Sequence, residues 1–213
     1  MKWLSFLSSQ KIPYYVYKLN REDSIIIHKY SLETNQSIIV AYGSIYVSKI
    51  FTNTETLPIA LLGKNSIFIK ENNNINNEFY YQLTALETTY IISFKEDDLK
   101  GIVKFRINLI GILISSYKKT IEEYEAMNQV MCQRYLKNRI YQLILLICLK
   151  FGIISDTKIQ IPFQVSNKHI ATITGTNTTN ISKLLRNISK NLFIKISNKK
   201  KIYINNIFEI RLK

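Results

Sequence analysis

The sequence predicts an α+β fold of three successive parts: an antiparallel β-domain, a long helix and a C-terminal winged helix-turn-helix. Three observations predict this order. Residues 12–95 carry short runs of β-branched and aromatic residues, residues 96–131 change to a helical period, and residues 164–204 combine two short helical patterns with a basic hairpin. With 213 residues, the chain is long enough to bury the core of one large or two small domains.

The first part, residues 1–98, is expected to be a β-domain. Turn-forming clusters such as Tyr42-Gly43-Ser44 and Thr52-Asn53-Thr54 separate its apolar runs, a spacing typical of an antiparallel sandwich or roll. Residues 71–78 are almost without apolar side chains and are predicted to form a loop tip. The predicted strands are Ser24–His28, Ser37–Tyr42, Ile45–Phe51, Leu57–Leu62, Phe79–Leu83 and Thr89–Phe94.

The second part, residues 99–133, is expected to be a long helix that follows the acidic start Glu96-Asp97-Asp98, where the helix dipole favours negative charge. Its predicted apolar face comprises Leu109, Leu113, Tyr117, Thr120, Tyr124, Met127 and Met131. Lys118-Lys119 and Glu122-Glu123 are expected on the exposed opposite face. We expect the apolar face to pack against a second copy in a coiled-coil-like seam; packing on the chain's own β-domain is the alternative.

The third part, residues 134–213, begins with a predicted helix from Arg139 to Lys150, which Phe151-Gly152 ends. Its predicted inward residues are Ile140, Leu143, Ile144, Ile147 and Cys148. A short strand is predicted at Lys158–Phe163. Two further strands, Phe193–Ser197 and Lys201–Asn205, are expected around the turn Asn198-Lys199-Lys200, which is the pattern of a wing whose tip lysines reach phosphate.

A helix-turn-helix is predicted between the first strand of this part and the wing. Ser166 is placed to cap a first helix that ends at Thr174, because a serine oxygen can accept a backbone N–H. Gly175-Thr176 supplies a tight turn. A second helix is predicted from Asn177 to Lys190, with Ile181, Leu184, Leu185 and Ile188 on one face. A second helix held in this way can enter a DNA major groove.

Positive charge is concentrated in the same segment. The formal net charge of the chain is +14, and residues 160–213 hold ten lysines or arginines against one acid, Glu209. Clustered positive charge is typical of a phosphate-binding face, whereas a solvated lysine-rich tail is the alternative. The helical pattern within the segment favours binding to nucleic acid.

Other chemistries find little support in the sequence. Cys132 and Cys148 lie in apolar, helical surroundings, which predicts buried free thiols and argues against a disulfide scaffold or a metal cluster. His28 and His169 lack partners at motif spacing and are predicted to be surface or packed side chains. The chain contains no phosphate loop, nucleophile elbow or metalloprotease motif, so neither an enzyme nor a metal site is expected.

The sequence predicts no membrane span, because no apolar run approaches the roughly 20 residues required. Residues 1–7 are too short an apolar stretch for a secretory signal, so the protein is expected to act where it is made. Heavy use of isoleucine, asparagine and lysine, as in residues 72–77, indicates an AT-rich genome such as that of an organelle or a reduced bacterium.

The order of these parts resembles the CRP/FNR family, with a cupin-like β-roll sensor domain, a long dimerisation helix and a winged helix-turn-helix. Three segments carry the resemblance, residues 59–68, 139–152 and 165–185, and it is nearest to the nitrogen-control regulators of cyanobacteria and their red-algal plastid homologue. The resemblance implies a homodimeric activator that binds double-stranded DNA and contacts RNA polymerase. It also implies the plastid (chloroplast) stroma as the location, with the cytoplasm of an AT-rich bacterium as the alternative.

The resemblance implies a small-molecule effector in the β-roll, 2-oxoglutarate in the cyanobacterial relatives. The corresponding effector-binding positions are Phe68, Ile69, Lys70, Phe79, Thr120 and Glu125. Two pocket arginines of those relatives are replaced here by Glu78 and Thr120. Because a dicarboxylate needs cationic, preferably bidentate, partners, these replacements are expected to weaken its binding severely. The phosphate cassette for a cyclic nucleotide is also absent.

The resemblance and the helical pattern together give a predicted DNA-binding set. Its members are Ser166, Lys168, Thr176, Asn177, Thr178, Thr179, Asn180, Ser182, Lys183, Arg186, Lys199 and Lys200. Thr178 stands where the family has the arginine that reads guanine, and threonine cannot make that bidentate pair. We therefore expect an altered target preference. An effector-independent nucleic-acid-binding protein with a degenerate sensor domain is the alternative function.

Overall fold

The computed structural model describes residues 2–28, 36–68, 70, 79–103, 107–155, 158–191, 194–196 and 202–204. The chain forms two compact units, Met1–Glu125 and Ala126–Lys213. The predicted three-part division at residues 98/99 and 133/134 stays a prediction.

The first unit is a β-roll with helices at both ends of its sequence. In chain order its elements are α1 (Lys2–Ser9), β1 (Tyr14–Leu19), β2 (Ser24–His28), β3 (Gln36–Tyr42), β4 (Ile45–Phe51), β5 (Thr56–Leu62), β6 (Ile67–Phe68), β7 (Phe79–Ala85), β8 (Thr89–Lys95), α2 (Glu96–Val103) and α3 (Ile107–Met131), whose last turns belong to the second unit. The strands form two antiparallel sheets, with orders β1-β8-β3-β6 and β2-β7-β4-β5.

The roll has an inner and an outer core because side chains of a strand alternate between the two faces of its sheet. On β3, Ile38 and Val40 pack between the sheets, whereas Ile39 packs on the outer side with Trp3 and Leu7 of α1. Burial on both faces explains why the middle of β3 is a continuous apolar run.

All six predicted strands are observed, with ends that differ from the prediction by at most two residues. Three described elements of the first unit were not among those predicted: α1, β1 and β6. The two residues of β6 are too few for a period, and β1 leaves Tyr15 and Tyr17 exposed. The predicted loop tip at residues 71–78 lies outside the described residues.

The predicted helix from residue 96 to about 131 consists of two helices, α2 and α3, separated by residues 104–106, which are not described. The acidic start at Glu96 is confirmed. Leu99 of α2 is buried in the outer core of the roll, so this first helix follows the surface of the sheet.

For Leu113, Tyr117 and Tyr124 of the predicted apolar face, the expectation of packing against a second copy is wrong. Within the first unit, Leu113 and Tyr117 pack on the outer core, and Tyr124 packs on the inner core. The alternative, packing on the chain's own β-domain, is the one observed. Side chains that lie between these positions on α3 make hydrogen bonds to backbone groups of the roll. These bonds hold this face of the helix against the roll.

Thr120 and Glu123 fasten α3 to the turn between β5 and β6. The Thr120 hydroxyl accepts a hydrogen bond from Ile67 N at 2.9 Å, and a Glu123 carboxylate oxygen accepts one from Gly63 N at 3.2 Å. Both side chains are buried. The prediction that Glu123 is exposed is therefore wrong, because the carboxylate satisfies a backbone N–H that would otherwise be buried without a partner.

The second unit contains the third sheet and the helix-turn-helix. Its further elements are α4 (Leu136–Phe151), β9 (Ile153–Ser155), β10 (Lys158–Gln160), α5 (Asn167–Thr174), α6 (Thr178–Asn191), β11 (Ile194–Ile196) and β12 (Ile202–Ile204), with sheet order β11-β12-β10-β9. The five predicted inward residues of α4 are those that are buried. The strand predicted at Lys158–Phe163 is shorter, and the two wing strands are confirmed as an antiparallel pair.

Gly152 ends α4 as predicted, but for a different reason from a left-handed cap. Its φ is −67°, a value open to any residue. A Cβ at this position would lie 2.2 Å from the Cys148 carbonyl oxygen and 2.3 Å from Ile159 Cγ2. Glycine is therefore required because a side chain at this position would collide with the carbonyl group of Cys148 in α4 and with Ile159 of β10.

The prediction for the cysteines is half right. Both thiols are free, and Cys148 is buried, but Cys132 is exposed. Cys132 follows directly after the last residue of α3. Apolar neighbours in the sequence do not bury a side chain at that position.

Candidate nucleic-acid interface

Helix α5 begins and ends at the predicted residues. The Ser166 hydroxyl accepts a hydrogen bond from His169 N at 3.1 Å, which satisfies one of the free N–H groups of the first turn. Gly175 ends the helix in the left-handed region, with φ 68° and ψ 43°. Only glycine reaches this region without a steric cost, so the sharp turn into the next helix follows from this residue.

Helix α6 begins one residue later than predicted, because Asn177 is its cap. Asn177 Oδ1 accepts a hydrogen bond from Asn180 N at 2.8 Å. Ile181, Leu185 and Ile188 are buried, and the opposite face of the helix is exposed. Spacings of four and three residues put these apolar side chains on one stripe, so the polar face is left for a partner.

Two side chains fasten the helix-turn-helix. Asn167 Nδ2 donates to Ser182 Oγ at 2.9 Å and joins α5 to α6. Arg139 of α4 donates from Nη1 to Thr174 O at 2.9 Å and from Nη2 to Gln133 O at 3.2 Å. A cation at the C-terminal end of α5 also opposes the partial negative charge of its free carbonyl groups.

Arg139 was not among the predicted site residues. Its sequence neighbourhood showed only a helix start, and its partner Thr174 lies 35 positions away. The sequence of α4 gave no sign of this role, because Arg139 is one of several polar residues on the helix, with Lys137, Asn138, Gln142 and Lys150.

Most of the predicted DNA-binding residues are exposed in the structure. Exposed are Lys168, Asn177, Thr178, Thr179, Asn180, Ser182, Lys183 and Arg186, whereas Ser166 and Thr176 are half-buried. Lys199 and Lys200, at the predicted wing tip, lie outside the described residues. Helices α5 and α6 contain no acidic residue, so the positive potential of Lys168, Lys183 and Arg186 has no local counter-charge within these two helices.

The polar side chains of this surface differ in how much hydrogen-bonding capacity remains. Ser182 Oγ accepts from Asn167 and donates to Thr178 O at 2.9 Å, so its hydroxyl is committed within the unit. Asn180 Nδ2 has only a long contact of 3.4 Å to Thr176 Oγ1. Asn180 therefore has more capacity to contact a base edge than Ser182.

The positions proposed for an effector do not share one environment. Phe68 is buried, with its ring centroid 5.0 Å from that of Tyr81, and Phe79 lies 5.3 Å from the same ring. The Thr120 hydroxyl is bonded to the backbone of β6, and Glu125 is exposed. Ile69 and Glu78 lie outside the described residues.

In the described ranges, no three side chains from His, Cys, Asp and Glu come together in a group that could hold a metal ion. Among the helices described, none has both the length and the apolar character needed to cross a membrane.

Comparison with known proteins gives similarity along almost the whole chain. No family model matches. The chain is 24% identical over 200 residues to ycf28 of Porphyra purpurea, described as an HTH-type transcriptional regulator, with 94% of this chain and 82% of that protein covered. It is 23% identical over 202 residues to the global nitrogen regulator of Synechococcus elongatus, covering 94% and 90%.

Solved structures show the same fold. A CRP/FNR family transcriptional regulator from Thermus thermophilus superimposes with a TM-score of 0.65 at 14% identity, over 90% of this chain and 94% of that one. The relatives in sequence are transcription regulators and not enzymes. The β-roll and the helix-turn-helix with its wing strands give this chain the fold of CRP/FNR family regulators, and its similarity to ycf28 and to the global nitrogen regulators extends over most of the chain.

Proposed function

We propose that the chain is a homodimeric, sequence-specific DNA-binding activator in nitrogen control, which acts in a plastid and contacts RNA polymerase. Nitrogen control and the plastid setting are supported by the similarity to the global nitrogen regulators and to ycf28 of Porphyra purpurea. One observation carries the DNA-binding part: α6 presents an exposed face that is polar and basic, at a helix-turn-helix that Arg139 and Asn167 fasten.

The chemistry of this face suits phosphate contacts and base reading together. Lys168, Lys183 and Arg186 can neutralise phosphates, which supplies affinity without regard to sequence. Thr178, Thr179 and Asn180 lie in the first turn of α6. The first turn is the part of a recognition helix that usually contacts bases in the major groove. With threonine at 178, contact to a thymine methyl or a single base edge replaces the bidentate guanine pair.

A dimer is supported by a second apolar stripe on α3, on the side away from the roll. Ile110, Ile114 and Ile121 are 39%, 59% and 57% exposed and follow one another at four and seven residues. These are the spacings of a heptad seam. A two-fold pair of such helices would cover the isoleucines and set two recognition helices about 34 Å apart, one turn of duplex.

The test is binding of the purified protein to a palindromic promoter site from its own genome and to random duplex at one salt concentration. We expect at least about a thousandfold preference for the palindrome, the usual range for specific regulators. A ratio near one would contradict sequence-specific regulation. The same titration at several salt concentrations gives the number of phosphate contacts from the slope of log affinity against log salt.

A second candidate function is effector-independent binding to nucleic acid, with a degenerate sensor domain. It is favoured by Thr120, whose hydroxyl bonds directly to Ile67 where the cyanobacterial relatives are expected to hold an effector. For the same reason we infer that 2-oxoglutarate is at most a weak effector, since the cationic partners of a dicarboxylate are replaced. Binding to the palindromic site against random duplex distinguishes the two candidates, because a ratio near one favours the second.

A further inference from the structure

The outward side of α6 changes in chemistry along the helix. Its buried stripe consists of Ile181, Leu185 and Ile188. At 3.6 residues per turn, the positions opposite this stripe are Thr179, Lys183 and Arg186, all of them exposed. The outward line therefore starts with a neutral side chain in the first turn and continues with cations in the later turns.

The first turn of α6 comprises Thr178, Thr179 and Asn180 and contains no charged side chain. The bidentate contact to O6 and N7 of guanine needs arginine or lysine, so this turn cannot make it. Threonine offers a methyl group for the 5-methyl of thymine, and asparagine offers an amide that pairs with N6 and N7 of adenine. The residue types of the first turn therefore favour A·T pairs over G·C pairs.

The two asparagines at the start of α6 differ in availability. Asn177 Oδ1 accepts from Asn180 N at 2.8 Å, so the Asn177 side chain serves as the helix cap. Asn180 Nδ2 has only the long contact of 3.4 Å to Thr176 Oγ1. Because Asn180 is also exposed, its amide is the one that can turn towards a base edge.

The two threonines lie on different sides of the helix. Thr178 is four residues before Ser182 and shares its side, which Asn167 joins to α5 by a 2.9 Å hydrogen bond to Ser182 Oγ. Ser182 Oγ in turn donates to Thr178 O at 2.9 Å. Thr179 lies opposite the buried stripe and points away from the core of the unit. Of the two, Thr179 is therefore the better placed to meet a base.

We propose that the first turn of α6 reads A·T pairs, with the Thr179 methyl against the 5-methyl of a thymine and the Asn180 amide on N6 and N7 of an adenine. Lys183 and Arg186 then hold backbone phosphates. The inference names the bases that the regulator reads, and it rests on the proposed function because base reading presupposes sequence-specific binding to duplex DNA.

The test begins with selection by the full chain from palindromic duplexes whose half-sites are randomised with equal amounts of the four bases. The composition of the genome then has no influence on the outcome. We expect the selected half-sites to contain A·T pairs at which replacement by G·C weakens binding at least about fivefold, as is typical for loss of a specific base contact.

The adenine contact is tested with Asn180→Ala, which keeps the backbone N–H that Asn177 caps. At one half-site position this variant should lose most of the preference for A·T over G·C, with unchanged affinity for random duplex. Asn187→Ala is the matched control, because Asn187 is exposed on the same side of α6 two turns later. It should leave every preference unchanged.

The methyl contact is tested by replacing single thymines of the selected site with deoxyuridine, which removes only the 5-methyl group. At one position this should weaken binding about fourfold, the value of one buried methyl group. Thr179→Ser, which removes the side-chain methyl and keeps the hydroxyl, should abolish that effect. Thr178→Ser is the matched control and should preserve it.

Three results would overturn the inference: an unchanged preference in Asn180→Ala, an undiminished deoxyuridine effect in Thr179→Ser, or selected half-sites in which only G·C pairs are discriminated. Each of these still includes a selected palindrome and so leaves the proposed function standing. A pool without any enriched palindrome contradicts the proposed function and, with it, the reading of A·T pairs.

Discussion

At the residue scale, single side chains decide the geometry of the helix-turn-helix by bonding to backbone groups. Ser166 and Asn177 each accept a backbone N–H and so fix where α5 and α6 begin. Arg139 holds the carbonyl end of α5. Caps of this kind contribute about 1 kcal/mol each, so the exposed face of α6 owes its position to short polar side chains as well as to the core.

The two cysteines should differ sharply in reactivity. Burial raises the pKa of the Cys148 thiol to about 12, so it stays protonated at pH 8, and the thiolate is the reactive species. Iodoacetamide at pH 8 is expected to label exposed Cys132 in the folded protein and Cys148 only after unfolding, as read by peptide mass spectrometry. Rapid labelling of Cys148 in the folded protein would contradict its burial.

The same pKa gives a pH dependence of stability. The pKa of cysteine in an unfolded chain is about 8.5. Between about pH 8.5 and about 12, the folded state therefore keeps a thiol proton that the unfolded state has lost. The contribution of Cys148 to the free energy of unfolding is therefore complete below about pH 8.5 and falls as the pH rises. Cys148→Ala should show less alkaline loss of stability than the unmodified chain in urea unfolding.

At the element scale, the turn between α5 and α6 depends on one left-handed residue. Gly175 has φ 68°, and a Cβ there would meet only Arg139 Nη1, at 3.9 Å. The turn is therefore constrained by backbone conformation and not by crowding. Asn177 caps the next helix two residues later, so the angle between the helices is set within a few residues.

Replacing Gly175 should show whether its backbone conformation or the lack of space for a side chain requires glycine at this position. Gly175→Ala is expected to lower the free energy of unfolding by about 1–2 kcal/mol, the cost of the left-handed region for a residue with a Cβ. Gly175→Asn should cost less, because asparagine tolerates this region. Urea unfolding of both variants measures the difference; equal losses would mean that space at the turn, and not φ, is what requires glycine.

At the scale of the whole molecule, positive charge is distributed unevenly between the two units. The last quarter of the chain, which lies in the second unit, holds most of the excess positive charge. Helix α3 has one face on the roll and a second stripe of exposed isoleucines. A protein rarely leaves three large aliphatic side chains in line on a helix, so this stripe supports the proposed seam.

A charged residue in the exposed isoleucine stripe of α3 should dissociate the proposed dimer. Ile121→Glu is expected to give a monomer at micromolar concentration in analytical ultracentrifugation, because a carboxylate in a heptad seam would be desolvated. Affinity for a palindromic site should fall roughly a hundredfold through the loss of bivalent binding. The control is Ile26→Glu, at a 54% exposed isoleucine of β2, which should leave both unchanged. A dimeric Ile121→Glu protein would place the self-contact elsewhere.

The sequence by itself determined the elements whose causes are local. The β-branched and aromatic strand runs, the helical period of α4, the Ser166 cap and the Gly175 turn each arise from residues within a few positions, and each is observed. What only the tertiary structure decided depends on distant partners. Thr120 meets Ile67 across 53 positions and Arg139 meets Thr174 across 35, so no local pattern could show that α3 packs on the roll or that an arginine holds α5. The exposure of Cys132 has the same origin, since burial depends on which surfaces the fold brings together.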